Sequence, residues 1–327
     1  MIGLRRLALG FPLTWSHRRR YSVTGIARAA QGPYFVEWDP GHGVYGEDWI
    51  DASFDDAGIL LSGAARVYHP IRIAQFALHR FGVWCATADA EARADFLAQA
   101  RWLRDRQHSG NPAGLYRFDF RWPKYGADAG WVSAMAQGEA ISVLLRADAI
   151  DPSNGYAAAA RRASLPFHYG IPEGGVVWRC GSDVFFEEIA NPHAPHVLNG
   201  CIFALWGLWE LWQRTGYRDL QQPIDACVDT LRRWIARFDT GWWTCYSLAR
   251  SATNRPHIAT LKYHQFHIAQ MRVLAQMFAE PRFEAAAQRW AAYVEDPKCR
   301  ARVFGAAMAS LPDRLFARDT VRGGAHT

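Results

Sequence analysis

The feature that most constrains this chain is an alternation of two kinds of helix-period segment, beginning at residue 71. One kind is rich in aromatic, small and neutral polar residues: "IRIAQFALHRFGVW", "WVSAMAQGEAISVLLRA", "VLNGCIFALWGLWELW" and "YHQFHIAQMRVLAQMF". The other is charged along one side: "DAEARADFLAQARWLRDR", "YAAAARRA", "QQPIDACVDTLRRWIARF" and "PRFEAAAQRWAAYVED". A helix that is apolar all round must be buried all round, whereas an amphipathic one keeps a wet face. The buried kind starts near 71, 131, 197 and 263, so an inner–outer pair recurs every 60 to 66 residues. Such repetition predicts a mainly α fold, an α/α toroid, meaning an incomplete α/α barrel of helical hairpins. Sequence identity between the units is weak, so the repeat is architectural.

The first sixty residues read differently. "PYFVEWDP" and "DDAGILLSG" are short extended runs between Gly, Pro and Asp, which predict a small N-terminal β/loop region over 1–60. The toroid then spans 61–300, and 301–327 is a C-terminal extension with a flexible tail. In a toroid, every link from an outer helix to the next inner helix lies at one end of the ring. Those links are long, about 107–130, 166–196 and 239–262, and they carry aromatic and charged residues. Long links in a compact domain tend to be functional, so this end is where a site is expected.

Charge narrows the partners. Lys plus Arg number 37 and Asp plus Glu 31, a net +6 spread along the chain apart from "HRRR" at 17–20. A dispersed excess of arginine suits an acidic partner, nucleic acid or an anionic polysaccharide, and no nucleic-acid motif accompanies it. The 15 tryptophans suit a core of wide helices, with some left for the walls of a carbohydrate cleft. Six cysteines without a C-x-x-C pair read as reduced, buried small hydrophobes, as in a cytosolic protein. The segment "MIGLRRLALGFPLTWSHRRR" has a short apolar stretch broken by Pro12 and ends in a basic cluster, unlike a secretory leader. No later segment reaches membrane-spanning length without charges, and the expected location is cytoplasmic.

Several polar groups stand out. In "LKYHQFHIAQ", Tyr263, His267 and Gln270 fall at i, i+4 and i+7, one polar stripe on a buried helix. His264 and His267, three apart, are open to three readings: half a metal site, part of a stripe facing a polar cavity, or hydrogen-bonded core residues. Glu187 and Glu188 follow "VFF"; adjacent extended residues point to opposite sides, so at most one enters a shared pocket. Among aromatic residues that carboxyl would be raised towards neutral pH by desolvation, though two solvated glutamates on a loop are as good a reading. Tyr246 lies at the same end, and Arg121, Arg179 and Arg250 offer planar forks for a carboxylate. There is no G-x-G-x-x-G, P-loop, G-x-S-x-G or H-E-x-x-H, so nicotinamide, nucleotide-hydrolysing and serine-hydrolase readings lose their support.

Taken in order, these blocks resemble the C-terminal domain of the D-glucuronyl C5-epimerases, which act on heparan or heparosan-type chains. "YHPIRIAQFAL" is similar to the family's Tyr-Asn-Pro…Ala-Gln block, and "GWVSAMAQGEAISVLLRA" to its Ser-Ala-Met-Ala-Gln-Gly helix. "FFEEIANPHAPHVLNGCIFALWGLWEL" resembles its Tyr-Glu-Glu-Tyr-Pro…Val-Leu-Asn-Gly run, and "YSLAR" with "YHQFHIAQMRVL" its last two blocks. The likeness covers about residues 60–295. It implies an α-helical toroid preceded by β structure, and catalysis by a glutamate and tyrosines. By position these are Glu188, Tyr246 and Tyr263. Arg121, Arg179, Arg250, His267, Asn199 and Gln137 are then the substrate-binding candidates. This chain departs from the family at Ile189, where the family has tyrosine after the glutamate, and at Ser247–Ala249, which displaces an arginine to Arg250.

The implied reaction is inversion at C5 of a uronic acid within an acidic polysaccharide. One group takes the proton from one face, and another returns a proton to the opposite face. Neither a redox cofactor nor a catalytic metal is required. A tyrosine acting as base would need its pKa lowered, which cationic neighbours can supply. Two alternatives stay open: a polysaccharide lyase using the same abstraction, or a polysaccharide-binding protein that has lost turnover. A homodimer is compatible with the sequence.

Overall fold

The computed structural model describes residues 22–23, 32, 34–37, 52–250 and 254–309. The basic run at 17–20, most of the 1–60 region and the tail from 310 lie outside the described residues.

Short local signals set the helix starts. Helix α1 (Pro70–Thr87) opens on proline at its first position, where the missing N–H is no loss. Asp89 caps α2 (Ala90–Asp105) by accepting from the Glu91 amide. Ser133 caps α3 (Ala134–Ile150) through the Ala136 amide, and α4 (Tyr156–Ser164) returns beside it. Then come α5 (Leu198–Thr215), α6 (Gln221–Trp234), α7 (Leu261–Met277), α8 (Pro281–Glu295) and α9 (Pro297–Ala309). Thr260 caps α7 through the amide of Tyr263, which fixes the first turn on which that phenol sits.

Packing follows the two sequence classes. The inner helices α1, α3, α5 and α7 each lie against the next, and each carries its outer partner α2, α4, α6 or α8. The fold is mainly α, built from the helical hairpins that the alternation predicts. The tightest crossing is α3 on α5. A Cβ on Gly138 would come within 2.4 Å of the Ala204 Cα, and one on Gly207 within 1.9 Å of the Gly138 carbonyl oxygen. Only two glycines allow this approach, which brings the α3 side chains next to the start of α5.

The links differ from plain loops. Each inner helix is preceded by an antiparallel two-stranded hairpin: β3 (Ser53–Phe54) with β4 (Leu60–Leu61), β5 (Arg117–Phe118) with β6 (Trp131–Val132), β7 (Val177–Cys180) with β8 (Asp183–Phe186), and β9 (Cys245–Arg250) with β10 (Pro256–Ile258). Strands of two to six residues are too short to show a period-two pattern, which is why they read as irregular. Of the N-terminal region, β1 (Ser22–Val23) pairs with β2 (Val36–Glu37), and both pack on α7.

The core holds Trp206, Trp243 and Trp290 fully buried, and no described tryptophan is exposed. The cysteines divide. Cys201, Cys227, Cys245 and Cys299 are buried and free, but Cys85 and Cys180 are exposed. That corrects the expectation of six buried thiols: Cys85 lies in the last turns of α1, beyond its packed part, and Cys180 at the β7–β8 turn. Among the described residues no helix is long and apolar enough to cross a membrane.

Candidate active site

The segment carrying the two glutamates is clamped by backbone bonds on both sides. The Glu187 amide donates to the Val176 carbonyl (2.9 Å), the Ala134 amide to the Glu187 carbonyl (2.8 Å), and the Ala190 amide to the Val132 carbonyl (3.1 Å). So held, the adjacent side chains leave in different directions. Glu187 is fully buried; its carboxylate accepts the His196 amide at 3.1 Å and pairs with the His196 ring nitrogen Nδ1. Glu188 turns instead onto the first turn of α5, where a Cβ at Gly200 would fall 2.4 to 2.8 Å from its side-chain atoms. Neither is a solvated loop glutamate.

Burial is the main reason the Glu188 carboxyl is pushed up to about 8, with the Glu187 charge adding and Lys124 opposing. Its Oε2 has no hydrogen-bond partner among the described residues. Close behind lies Glu139 of α3, also fully buried, whose Oε1 accepts from the Gln75 amide nitrogen at 3.1 Å. Burial and the Glu188 charge hold this second carboxyl well above its ordinary range.

The phenols arrive from two other elements. The Leu248 amide donates to the Pro195 carbonyl (3.1 Å) and Val197 bridges to Ser247, which ties β9 to the start of α5. Tyr246 on β9 then meets Tyr263 on α7 edge to face, with ring centroids 4.8 Å apart. Burial, then the charge of Glu188, raises Tyr246 well above an ordinary phenol. A tyrosine acting as base would need the opposite shift: Tyr246 is held protonated at neutral pH, and Glu188 is the group brought near neutrality. Sequence reasoning passed over a third phenol, Tyr125, in the β5–β6 link. Burial, the Glu188 charge and Tyr263 raise it too, and its backbone carbonyl accepts from the Asn191 side chain at 2.7 Å. Its signal was "RWPKYG" within a long link, a phenol beside the lysine that acts on Glu188.

The binding candidates scatter. Gln137 is buried: its Oε1 accepts the Tyr116 amide, and its nitrogen donates to the Gly114 and Ala163 carbonyls. Both its N–H groups and one carbonyl lone pair are spent on backbone, so it fixes the β5 link, a structural place for a residue expected to bind substrate. Arg121 pairs with Asp128 at 2.9 Å, both largely exposed. Arg179 is exposed on β7, and Arg250 is exposed and donates to the Asn254 carbonyl. The cation felt by Glu188 is Lys124, not one of these arginines. Asn199 is buried beside Gly200; its backbone carbonyl accepts from the Gln270 side chain at 3.2 Å, while its own Oδ1 has no partner among the described residues.

The two histidines of α7 converge on one hydroxyl. Thr244 Oγ1 lies 2.9 Å from His264 Nδ1 and 3.1 Å from His267 Nδ1. His264 also stacks on Trp243 (3.7 Å between centroids), and its Nε2 donates to the Trp290 carbonyl. Among the described residues, no three His, Cys, Asp or Glu side chains gather as a metal site needs.

Comparison with known proteins meets this geometry. Residues 110–292, more than half the chain, match the family model described as D-glucuronyl C5-epimerase C-terminus. The chain belongs to that family. The matched span contains Glu188, Tyr246 and Tyr263 together with the Tyr125 link. A D-glucuronyl C5-epimerase of Caenorhabditis elegans is 30% identical over 212 residues, which cover 61% of this chain and 34% of that protein. An uncharacterized protein of Methanocaldococcus jannaschii is 24% identical over 161 residues, 48% of this chain and 50% of that one. The chain thus spans about a third to a half of the length of these two relatives. Ile189, the residue after Glu188, is fully buried in the core.

Proposed function

We propose that this chain is a uronate C5-epimerase, converting D-glucuronate to L-iduronate residues within a heparosan-like acidic polysaccharide. The observation that carries the reading is the buried Glu188 carboxyl, held near 8 beside the phenols of Tyr246 and Tyr263, in a chain of the epimerase family. A carboxyl poised near neutral pH is matched to taking and returning a proton under the same conditions. The C5 hydrogen leaves as a proton to one of the two groups that flank C5, Glu188 or Tyr263, and its electron pair delocalises into the attached carboxylate as an enediolate. The other group delivers its own proton to C5 from the opposite face, inverting it, and proton exchange with solvent restores both groups. Glu188 and Tyr263 flank C5 and Tyr246 assists. Tyr246, kept protonated by burial and by Glu188, serves as a donor to the charge that develops on the uronate oxygens.

The test is incubation with unmodified and N-sulfated heparosan in deuterated water. Deuterium at C5 without chain cleavage is expected. Absorbance from an unsaturated uronate would instead make the protein a lyase, and no exchange with either polymer would leave a binding protein. Glu188→Gln and Tyr263→Phe should each slow exchange by two orders of magnitude or more. Wild-type rates in both would sink the assigned roles.

A further inference from the structure

Thr244 and Tyr246 are two residues apart on extended backbone, so their side chains leave on the same side. Tyr263 and His267 are one turn apart on α7 and share a face. The Tyr246–Tyr263 pair is therefore backed by a second tier, in which the Thr244 hydroxyl meets His267 Nδ1 at 3.1 Å.

The hydrogens of this tier can be assigned one by one. The Trp290 carbonyl only accepts, so His264 Nε2, 3.0 Å from it, carries a hydrogen. His264 Nδ1 is then a lone pair, and two donors converge on it: the Thr244 amide at 3.3 Å and the Thr244 hydroxyl at 2.9 Å. A threonine hydroxyl has one hydrogen. Spent on His264, it leaves only lone pairs towards His267, so the 3.1 Å contact is attractive only if His267 Nδ1 carries the hydrogen. The opposite assignment would set two lone pairs face to face across 2.9 Å. Both rings are neutral, burial pushing each down to about 3. The remaining nitrogen, His267 Nε2, is a bare lone pair, fully buried and with no partner among the described residues.

We propose that the chain Trp290 carbonyl–His264–Thr244 fixes His267 as the tautomer with a free Nε2 lone pair, and that this nitrogen receives a hydroxyl hydrogen of the bound sugar. Thr244 and His264 are positioning residues; His267 is the group that touches the ligand. The sugar identity rests on the epimerase reading, and the tautomer does not. A lone pair repels a carboxylate and selects an O–H, so His267 recognises the hydroxyl side of a uronate residue and not its charged end.

The experiment uses the full chain with 15N-labelled histidine and long-range 1H–15N correlation, first without ligand. His267 should show a pyrrole-type Nδ1 and pyridine-type Nε2, His264 the reverse, both unchanged from pH 6 to 8. Thr244→Ser should keep this pattern; Thr244→Val should give His267 mixed tautomers and lower C5 exchange at least tenfold. A heparosan hexasaccharide should move the His267 Nε2 resonance towards the hydrogen-bonded range. Hydrogen found on Nε2 in the wild type overturns the proposal whatever the activity. Hexasaccharide binding that leaves Nε2 unmoved overturns the hydroxyl-receptor role. No binding at all overturns the sugar as donor together with the epimerase reading, while the ligand-free spectra decide the tautomer on their own. Should Thr244→Val not fold, the wild-type and Thr244→Ser spectra still decide.

Discussion

Glu188 is a group whose ionised form the fold works against, and that has a measurable sign. Unfolded, its carboxyl titrates near the ordinary 4.5; folded, burial moves it to about 8. Between these values the folded state holds the proton and the unfolded state has lost it. Stability therefore falls as pH rises through this window and levels off above it. At ~1.4 kcal/mol per pH unit, the loss is on the order of 4 to 5 kcal/mol. Glu188→Gln keeps the shape and removes the titration. Its melting temperature should equal the wild type's near pH 4.5 and exceed it by roughly 5 °C or more at pH 9, in a scan of both proteins across that range. A difference that stays flat with pH would mean Glu188 is not held as an acid. The variant gains stability by losing the chemistry, as expected where an active site stores strain.

At the scale of elements, two glycines of α5 serve different ends. Gly200 makes room for a side chain, since its added Cβ would meet Glu188 Oε2, Cβ and Cγ. Gly207 makes room for backbone, since its Cβ would meet the Gly138 carbonyl group of α3. Gly200→Ala should therefore displace Glu188, cutting C5 exchange at least tenfold and costing about 1–3 kcal/mol in urea unfolding, because the Glu188 Cβ, 2.5 Å from the added methyl, moves only with the clamped backbone that carries it. Gly207→Ala should cost about 3 kcal/mol or more, because two helix backbones must part. Wild-type C5 exchange in Gly200→Ala would show that Glu188 is not what Gly200 accommodates. The alternation of helix types made the inner and outer helices legible, because burial on all sides leaves a composition that one strand or loop residue cannot alter. The glutamate and the two tyrosines were legible through family motifs. Tyr125 and Thr244 were not: their place depends on how a hairpin folds back onto α5 and α7, contacts far apart in sequence. Gln137 misled for the same reason, since an amide in a motif looks identical whether it faces ligand or three backbone groups.

Across the whole molecule, the described residues of the N-terminal region pack on the inner helices, and one arginine joins the parts. Arg146 of α3 donates to Glu210 of α5 (2.8 Å), to the Gly32 carbonyl (3.2 Å) and to the Ser142 carbonyl (2.9 Å). Its guanidinium lies 5.3 Å from the Tyr34 ring, which stacks on Phe203 and meets Trp206 edge-on. The ion pair is buried on both sides, 6% and 4% exposed. In such a site the attraction roughly offsets the loss of hydration, so the pair itself adds little, yet removing one partner strands the other charge. Arg146→Met should thus lower unfolding free energy by about 3–5 kcal/mol, read from urea midpoints at constant slope. Arg146→Met with Glu210→Leu separates two roles for the arginine. If its main task is to neutralise Glu210, the double variant should recover to within about 2 kcal/mol of wild type, because an apolar pair of similar volume replaces the ions. If the double variant stays as unstable as the single one, the guanidinium's hold on Gly32 and Tyr34 is what matters, and the N-terminal segment is then part of the core that carries Glu139 and Glu188.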